Sequence, residues 1–261
     1  MSNTLPTQAD QWEERLVATP QETMEHCRGL YDADHLKPLF DLLPPHSKIV
    51  EAGCGLGQFV YMFASLGHHC IGLDYSAKLI NEAQARGENL TDLPGTVQWV
   101  EGTILDLPFE DNSLDCYASF GVLEHFTRDQ QRIIMSESHR VLKPGGLLYQ
   151  FVPSFWSPWT LRREIRYWFR KLVPPNLVWQ KNIRRSLLRK MGAEAGFQEI
   201  RCQSVYAGVA LRSMRLPNRL RRLTPARIRQ TSQNAIDRMG QWCDRHDILG
   251  YGLVYIGKKS S

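Results

Sequence analysis

The run Ile49-Val50-Glu51-Ala52-Gly53-Cys54-Gly55-Leu56-Gly57-Gln58 constrains this 261-residue chain more than any other stretch. Short apolar residues lead into an acid, and three glycines follow at alternate positions. Phe59, Phe63 and Leu66 then keep helical spacing, which predicts a helix with those residues on its inner face. Glycine lets the backbone turn sharply and lets a ligand lie against the main chain with no Cβ in the way. A buried strand, a tight turn and a helix N-terminus in this order form the nucleotide-binding corner of a doubly wound α/β sheet.

The spacing bears on which nucleotide. A dinucleotide fingerprint reads G-x-G-x-x-G, with the pyrophosphate on the helix N-terminus. Here the third glycine is Gly57, one residue early, and Gln58 holds the fingerprint position. Glu51 also precedes the turn, where a carboxylate suits an ammonium group better than phosphates. Cys70-Ile71-Gly72-Leu73-Asp74 predicts a second strand ending in an acid, about where a ribose-binding carboxylate belongs. Together these residues resemble the class I S-adenosylmethionine-dependent methyltransferases, whose pattern is E/D-x-G-x-G-x-G followed by an acid closing the second strand.

Later segments extend the resemblance. Val97 to Val100 predicts a third strand, and Glu101-Gly102-Thr103-Ile104-Leu105-Asp106-Leu107-Pro108-Phe109 is similar to the family segment G-D-x-x-x-L-P-F beneath the adenine. Thr103 replaces the usual acid there. Asp111-Asn112-Ser113 reads as a turn and Leu114 to Ser119 as a fourth strand. The stretch Ser119-Phe120-Gly121-Val122-Leu123-Glu124-His125-Phe126 stands at that strand's carboxyl end, where open α/β sheets bind ligands. The family has a similar L-E-H. An imidazole titrates near neutrality, so His125 is the general-base candidate, with a structural Glu124–His125 brace as the alternative. A metal cluster E-x-x-E-H, found in some quinone-biosynthesis methyltransferases, is incomplete because Gly121 takes its first acid position, and no metal is expected. A helix from Thr127 or Asp129 has Ile133, Ile134, Val141 and Leu142 on its apolar face. Lys143-Pro144-Gly145-Gly146 should end it before a fifth strand, Leu147 to Val152. R-V-L-K-P-G-G-x-L matches the family too, as do Met191 to Phe197 before a sixth strand and Tyr251 to Gly257 in a seventh.

The resemblance therefore implies a seven-stranded, mostly parallel, doubly wound α/β sheet binding S-adenosylmethionine and releasing S-adenosylhomocysteine. Glu51 and the turn Gly53, Cys54, Gly55, Gly57 and Gln58 would hold the methionine end, and Asp74 the ribose. Tyr75, Thr103 and Ile104 would take the adenine, Ser119 and Phe120 would border the site, and Tyr31 would close over it from an N-terminal leader.

Charge divides the chain. Residues 1–158 carry 21 acids against 10 Lys and Arg, whereas residues 159–231 carry 18 Lys and Arg against 3 acids. The basic part falls where the family pattern lapses. The expected organisation is a helical leader (1–45), a cofactor-binding core (46–153), a basic aromatic cap (154–185), a return to the core (186–208), a second helical cap (209–248) and a final strand (249–261). In the caps, Leu161, Ile165, Trp168, Phe169 and Leu172 share one helical face. Ile228, Ala235, Met239, Trp242 and Cys243 form an inward stripe. Such a cap could recognise an anionic or lipophilic small acceptor through arginine pairing and aromatic shape. It could also meet an anionic membrane surface, bind RNA phosphates, or simply pack by its apolar stripe. The fourth-strand end reads S-F-G-V and not the D/N-P-P-Y/F of amino-group nucleic-acid methyltransferases, so a nucleic-acid acceptor is not expected. Six scattered cysteines without C-x-x-C spacing, and no signal-like start or apolar run of membrane length, predict a reduced cytoplasmic protein. The expected activity is methyl transfer to an oxygen or nitrogen of a small molecule. The alternatives are an RNA- or membrane-associated methyltransferase and an inactive cofactor-binding partner subunit.

Overall fold

Seven strands join in one sheet among the residues described by this computed structural model, which are 36–88, 90, 92–154, 157, 160–161, 183–206, 235, 238–239, 243 and 251–260. The strands are β1 (Lys48–Ala52), β2 (His69–Asp74), β3 (Thr96–Glu101), β4 (Leu114–Phe120), β5 (Leu142–Pro153), β6 (Phe197–Val205) and β7 (Gly252–Lys259). Their order is β3-β2-β1-β4-β5-β7-β6, and β7 alone runs antiparallel to its neighbours. Chain order reverses at β1, which pairs with both β2 and β4. Open α/β sheets bind ligands at such a switch point, outside the carboxyl ends of the strands.

Strand residues alternate between two cores, as the pleat requires. Ile49, Cys70, Cys116, Ala118 and Tyr149 pack on one face with α1 (Lys37–Phe40), α2 (Gln58–Ser65) and α3 (Ala77–Gly87). Val50, Ile71, Tyr117 and Leu148 pack on the other with α4 (Arg128–Val141) and α5 (Arg185–Glu194). Local chemistry starts α3 and α4. Ser76 Oγ accepts the Leu79 N–H at the start of α3 (3.2 Å), and Leu79, Ile80 and Ala83 face inward as the spacing predicts. Thr127 and Gln130 form a reciprocal capping box on α4, satisfying two otherwise orphaned groups.

Three readings of the sequence need correction. Leu66 and Ile133 keep helical spacing but lie exposed, because the buried stripes are narrower than the apolar pattern. Lys143 to Gly146 does not terminate α4 in a glycine turn. The helix stops at Val141, Leu142 already pairs with Leu114, and the next four residues bulge opposite Asp115 before Leu147 pairs with Cys116. The helix-end carbonyls are met from β7, where Lys259 Nζ donates to His139 O and Leu142 O (both 2.8 Å). A lysine there also suits the negative end of the helix dipole. In the second cap, Cys243 is buried but Ala235 and Met239 are exposed, so the inward stripe is not continuous. Tyr31, the rest of the leader before residue 36 and most of both caps lie outside the described residues.

Candidate functional site

The site begins with the glycine turn. Gly53, Gly55 and Gly57 all have φ between 52° and 76°, a conformation that side chains other than glycine's seldom accept. The turn is fastened to β2, since the N–H groups of Gly53 and Cys54 both donate to Leu73 O (2.8 and 3.0 Å). Asp74 completes the attachment. Its Oδ2 accepts the Gly55 N–H (2.9 Å) and its Oδ1 the Ser76 N–H (3.0 Å). Gly57 supplies no side-chain cap to α2, so Glu51 reaches up from β1 and its Oε2 accepts the Val60 N–H (2.9 Å).

These groups open on one cavity of about 400 Å³. Glu51, Gly53, Cys54, Gly55 and Gln58 line its glycine side, Asp74 and Tyr75 its middle, and Thr103 and Ile104 its far wall. Phe120 and His125 close the fourth-strand side. Glu51 and Asp74 are only 4% and 5% exposed. Burial, and then the neighbouring Asp74, hold the Glu51 carboxyl well above the usual carboxylate range, with the Val60 hydrogen bond acting against them. Burial beside the same two acids also raises the Cys54 thiol, so it stays protonated and contributes shape without nucleophilicity. Two enclosed carboxylates, with the glycine backbone of Gly53 and Gly55 in the cavity lining, suit a ligand carrying an ammonium and vicinal hydroxyls. A pyrophosphate would meet two acids, and Gln58, which lines the cavity, takes the position where the dinucleotide fingerprint has glycine.

Other expected site residues do not reach the cavity. A Cβ on Gly57 would overlap the Trp99 ring, so this glycine is required by packing against β3. Ser119 is buried, and its hydroxyl donates to Ala52 O (3.0 Å), bracing β4 to β1. Glu124 is buried behind the cavity wall, with Oε1 3.8 Å from His125 Nε2. That contact is ionic when the imidazole is protonated and too long for a hydrogen bond. Thr103 does line the cavity but is exposed, and its hydroxyl accepts the Leu105 N–H (3.2 Å). Among the described residues no group of three or more His, Cys, Asp or Glu is placed to hold a metal ion.

Reading the sequence missed Leu56, Phe59, Leu79, Gly102, Gly121, Val122 and Phe126, all of which line the cavity. Phe59 stacks on Phe120 with ring centroids 3.7 Å apart and planes within 7°. Val122 and Phe126 bracket the 3₁₀ turn Leu123–His125, which the buried Gln131 secures by donating from Nε2 to Leu123 O (2.9 Å) and Phe126 O (3.2 Å). The L-E-H motif was the available signal for that wall.

Comparison with known proteins agrees with this geometry. Residues 50–150 match a family model described as a methyltransferase domain. The "Uncharacterized methyltransferase sll0829" of Synechocystis sp. is 32% identical over 184 residues, which are 68% of this chain and 79% of that protein. The "Probable tRNA methyltransferase 9B" of Bos taurus is 32% identical over 158 residues, 59% of this chain. The ubiquinone/menaquinone biosynthesis C-methyltransferase UbiE of Ruegeria sp. is 35% identical over 107 residues, 40% of this chain. The chain spans only 30% of the bovine protein's length and 41% of the Ruegeria protein's. Among solved structures, a complex of the Haloferax volcanii Trm112 methyltransferase activator with a methyltransferase aligns over 96% of this chain and 98% of that one. Its TM-score is 0.59 at 18% identity, a likeness of fold.

Proposed function

This chain belongs to the class I S-adenosylmethionine-dependent methyltransferases, and from that membership we propose that its cavity binds the cofactor and serves a small, lipophilic or anionic acceptor. The observation that carries the cofactor part is the pair of buried carboxylates, Glu51 and Asp74, facing one cavity across a glycine turn. Glu51 would take the ammonium of the methionine end and Asp74 the ribose hydroxyls, with Tyr75, Leu79 and Ile104 around the adenine. Bound there, S-adenosylmethionine supplies a methyl group already activated by its sulfonium charge. The chain's own task is to hold and orient, and well-aligned partners gain much of their acceleration that way. His125, in the wall beside Phe120 and Val122, would accept the proton of a hydroxyl or amine acceptor. Glu124 would steady the imidazole from behind.

The acceptor reading draws on the apolar character of that wall. Phe59, Phe120, Val122 and Phe126 offer flat and branched apolar surface beside His125. The basic, aromatic segments 154–185 and 209–248, assigned from sequence as a cap, would add arginines for an acid group. RNA is a second reading, favoured by the relative named as a tRNA methyltransferase and by the 18 Lys and Arg of residues 159–231. Transfer of radiolabelled methyl from S-adenosylmethionine discriminates the readings. A panel of quinols, phenols and fatty or aromatic acids should accept label, whereas preferential labelling of total RNA would replace the small-molecule reading. Cofactor binding without transfer to either would identify a partner subunit that has lost catalysis.

A further inference from the structure

The wall formed by Gly102, Thr103 and Ile104 is anchored from the side away from the cavity. Thr103 pairs with Asp106 in an isolated antiparallel bridge, making 103–106 a closed turn. One end of this turn is held by the Gly102 N–H donating to Asp74 O (2.9 Å). The other end meets α4. Arg140 Nη2 donates to Leu107 O (3.0 Å) and Nη1 to Phe109 O (2.8 Å), while Glu137 Oε2 accepts the Leu107 N–H (2.8 Å). The two side chains also bind each other, Nε to Oε1 at 2.8 Å and Nη2 to Oε2 at 2.7 Å, and Nη1 reaches Asp111 Oδ1 (2.8 Å). Neither Arg140 nor Glu137 lines the cavity.

A planar guanidinium can grip two carbonyls and a carboxylate at once because its donors are set in a rigid fork. Here the fork spans the carbonyls of Leu107 and Phe109, and the carboxylate that orients it accepts the Leu107 N–H. The main chain after Ile104 is therefore fixed in both directions. Ile104 within the turn and Leu107 just after it are both buried in the same core, which ties the 107–109 backbone to the cavity wall.

We propose that Arg140 and Glu137 are positioning residues for cofactor binding, setting the place of Thr103 and Ile104 through the main chain of 107–109. This rests on the assignment of the cavity to S-adenosylmethionine. Hydrogen bonding from Arg140 keeps the Glu137 carboxyl below its ordinary range, so the clamp should persist into mild acid.

The test is calorimetric titration with S-adenosylhomocysteine, well below the melting temperatures of wild type, Arg140→Ala, Arg140→Lys, Glu137→Gln and Lys259→Met. Lys259→Met removes bonds to the end of the same helix without touching 107–109, so it reports general loosening. Arg140→Ala and Glu137→Gln should bind about tenfold more weakly, as for loss of one charge-assisted contact. Lysine lacks the fork and should not restore affinity. Lys259→Met should melt earlier yet bind like wild type. In the ligand-free proteins, the Leu105 and Leu107 amides should exchange faster in Arg140→Lys than in Lys259→Met. Wild-type affinity and exchange in both Arg140 variants would overturn the inference alone. Absence of binding by wild type would remove the cofactor assignment and this inference with it.

Discussion

Replacing Glu51 by Gln should make the ligand-free protein more stable and worse at binding its cofactor. The residue is 4% exposed and its carboxyl is held above the usual range, first by burial and then by Asp74. The folded state therefore keeps a proton that the unfolded chain releases near pH 4.3. The stability from that proton is complete below the unfolded value and is lost as pH rises through the folded one. Between those values the wild type loses about 1.4 kcal/mol per pH unit relative to a neutral isostere. The glutamine oxygen can still accept the Val60 N–H, so α2 keeps its cap. Each kcal/mol recovered should raise the melting temperature by about 2–4 °C for a domain of this size. Binding runs the other way. A charged hydrogen bond to the cofactor's ammonium is worth about 1.5–3 kcal/mol, or roughly 10- to 150-fold in Kd. Binding to wild type should also release a proton, so its affinity should climb with pH by up to about tenfold per unit, while the variant's stays flat. Melts from pH 5 to 8, with titrations in buffers of different ionisation enthalpy, measure both effects. A variant with the wild type's pH profile and unchanged affinity would refute the argument.

Other perturbations follow from the same geometry. His125→Ala should slow transfer by about 100-fold or more, the usual contribution of a general base, while leaving cofactor Kd nearly unchanged. Unchanged turnover would return His125 to a structural role. Gly57→Ala should cost about 1–2 kcal/mol for its left-handed backbone and about 1–3 kcal/mol for overlap with Trp99. Its melting temperature should fall accordingly, and an unshifted melt would show that Trp99 moves aside freely. The Gln150 amide is fully buried in β5, and neither end has a hydrogen-bond partner among the described residues. Gln150→Leu should therefore stabilise by about 1–3 kcal/mol, and a lower melting temperature would contradict this. Glu137, its carboxyl lowered chiefly by Arg140, adds stability above the ordinary carboxylate range that is lost as pH falls through its folded value. Glu137→Gln should thus flatten the acid limb of a pH–melting curve.

What the sequence revealed and what it hid differ in range. The glycine turn, Asp74 at the end of β2 and a helix start near Thr127 depend on neighbours within a few residues, and each follows from local chemistry. Gly57 looked like a ligand-facing glycine because its surroundings are local glycines. Its actual constraint is Trp99, forty-two positions away on β3. Phe59 carries helical spacing, so it read as core, yet its ring turns to stack on Phe120 at the cavity. Arg140 stood inside a recognisable motif, but its carbonyl partners lie in a loop more than thirty residues earlier. Lys259 reaches α4 from the far end of the chain. Periodicity reports which residues can be buried; partners of this kind come only with the sheet order.

The central claim is that two buried carboxylates across a glycine turn select S-adenosylmethionine over a dinucleotide. Calorimetric titration of the purified protein with S-adenosylmethionine and, separately, with NAD tests this. Micromolar binding of the first is expected, lost in Asp74→Ala and Gly55→Val, and no binding of the second. Binding of NAD alone would contradict it, because a pyrophosphate would then have been accommodated beside Glu51 and Gln58.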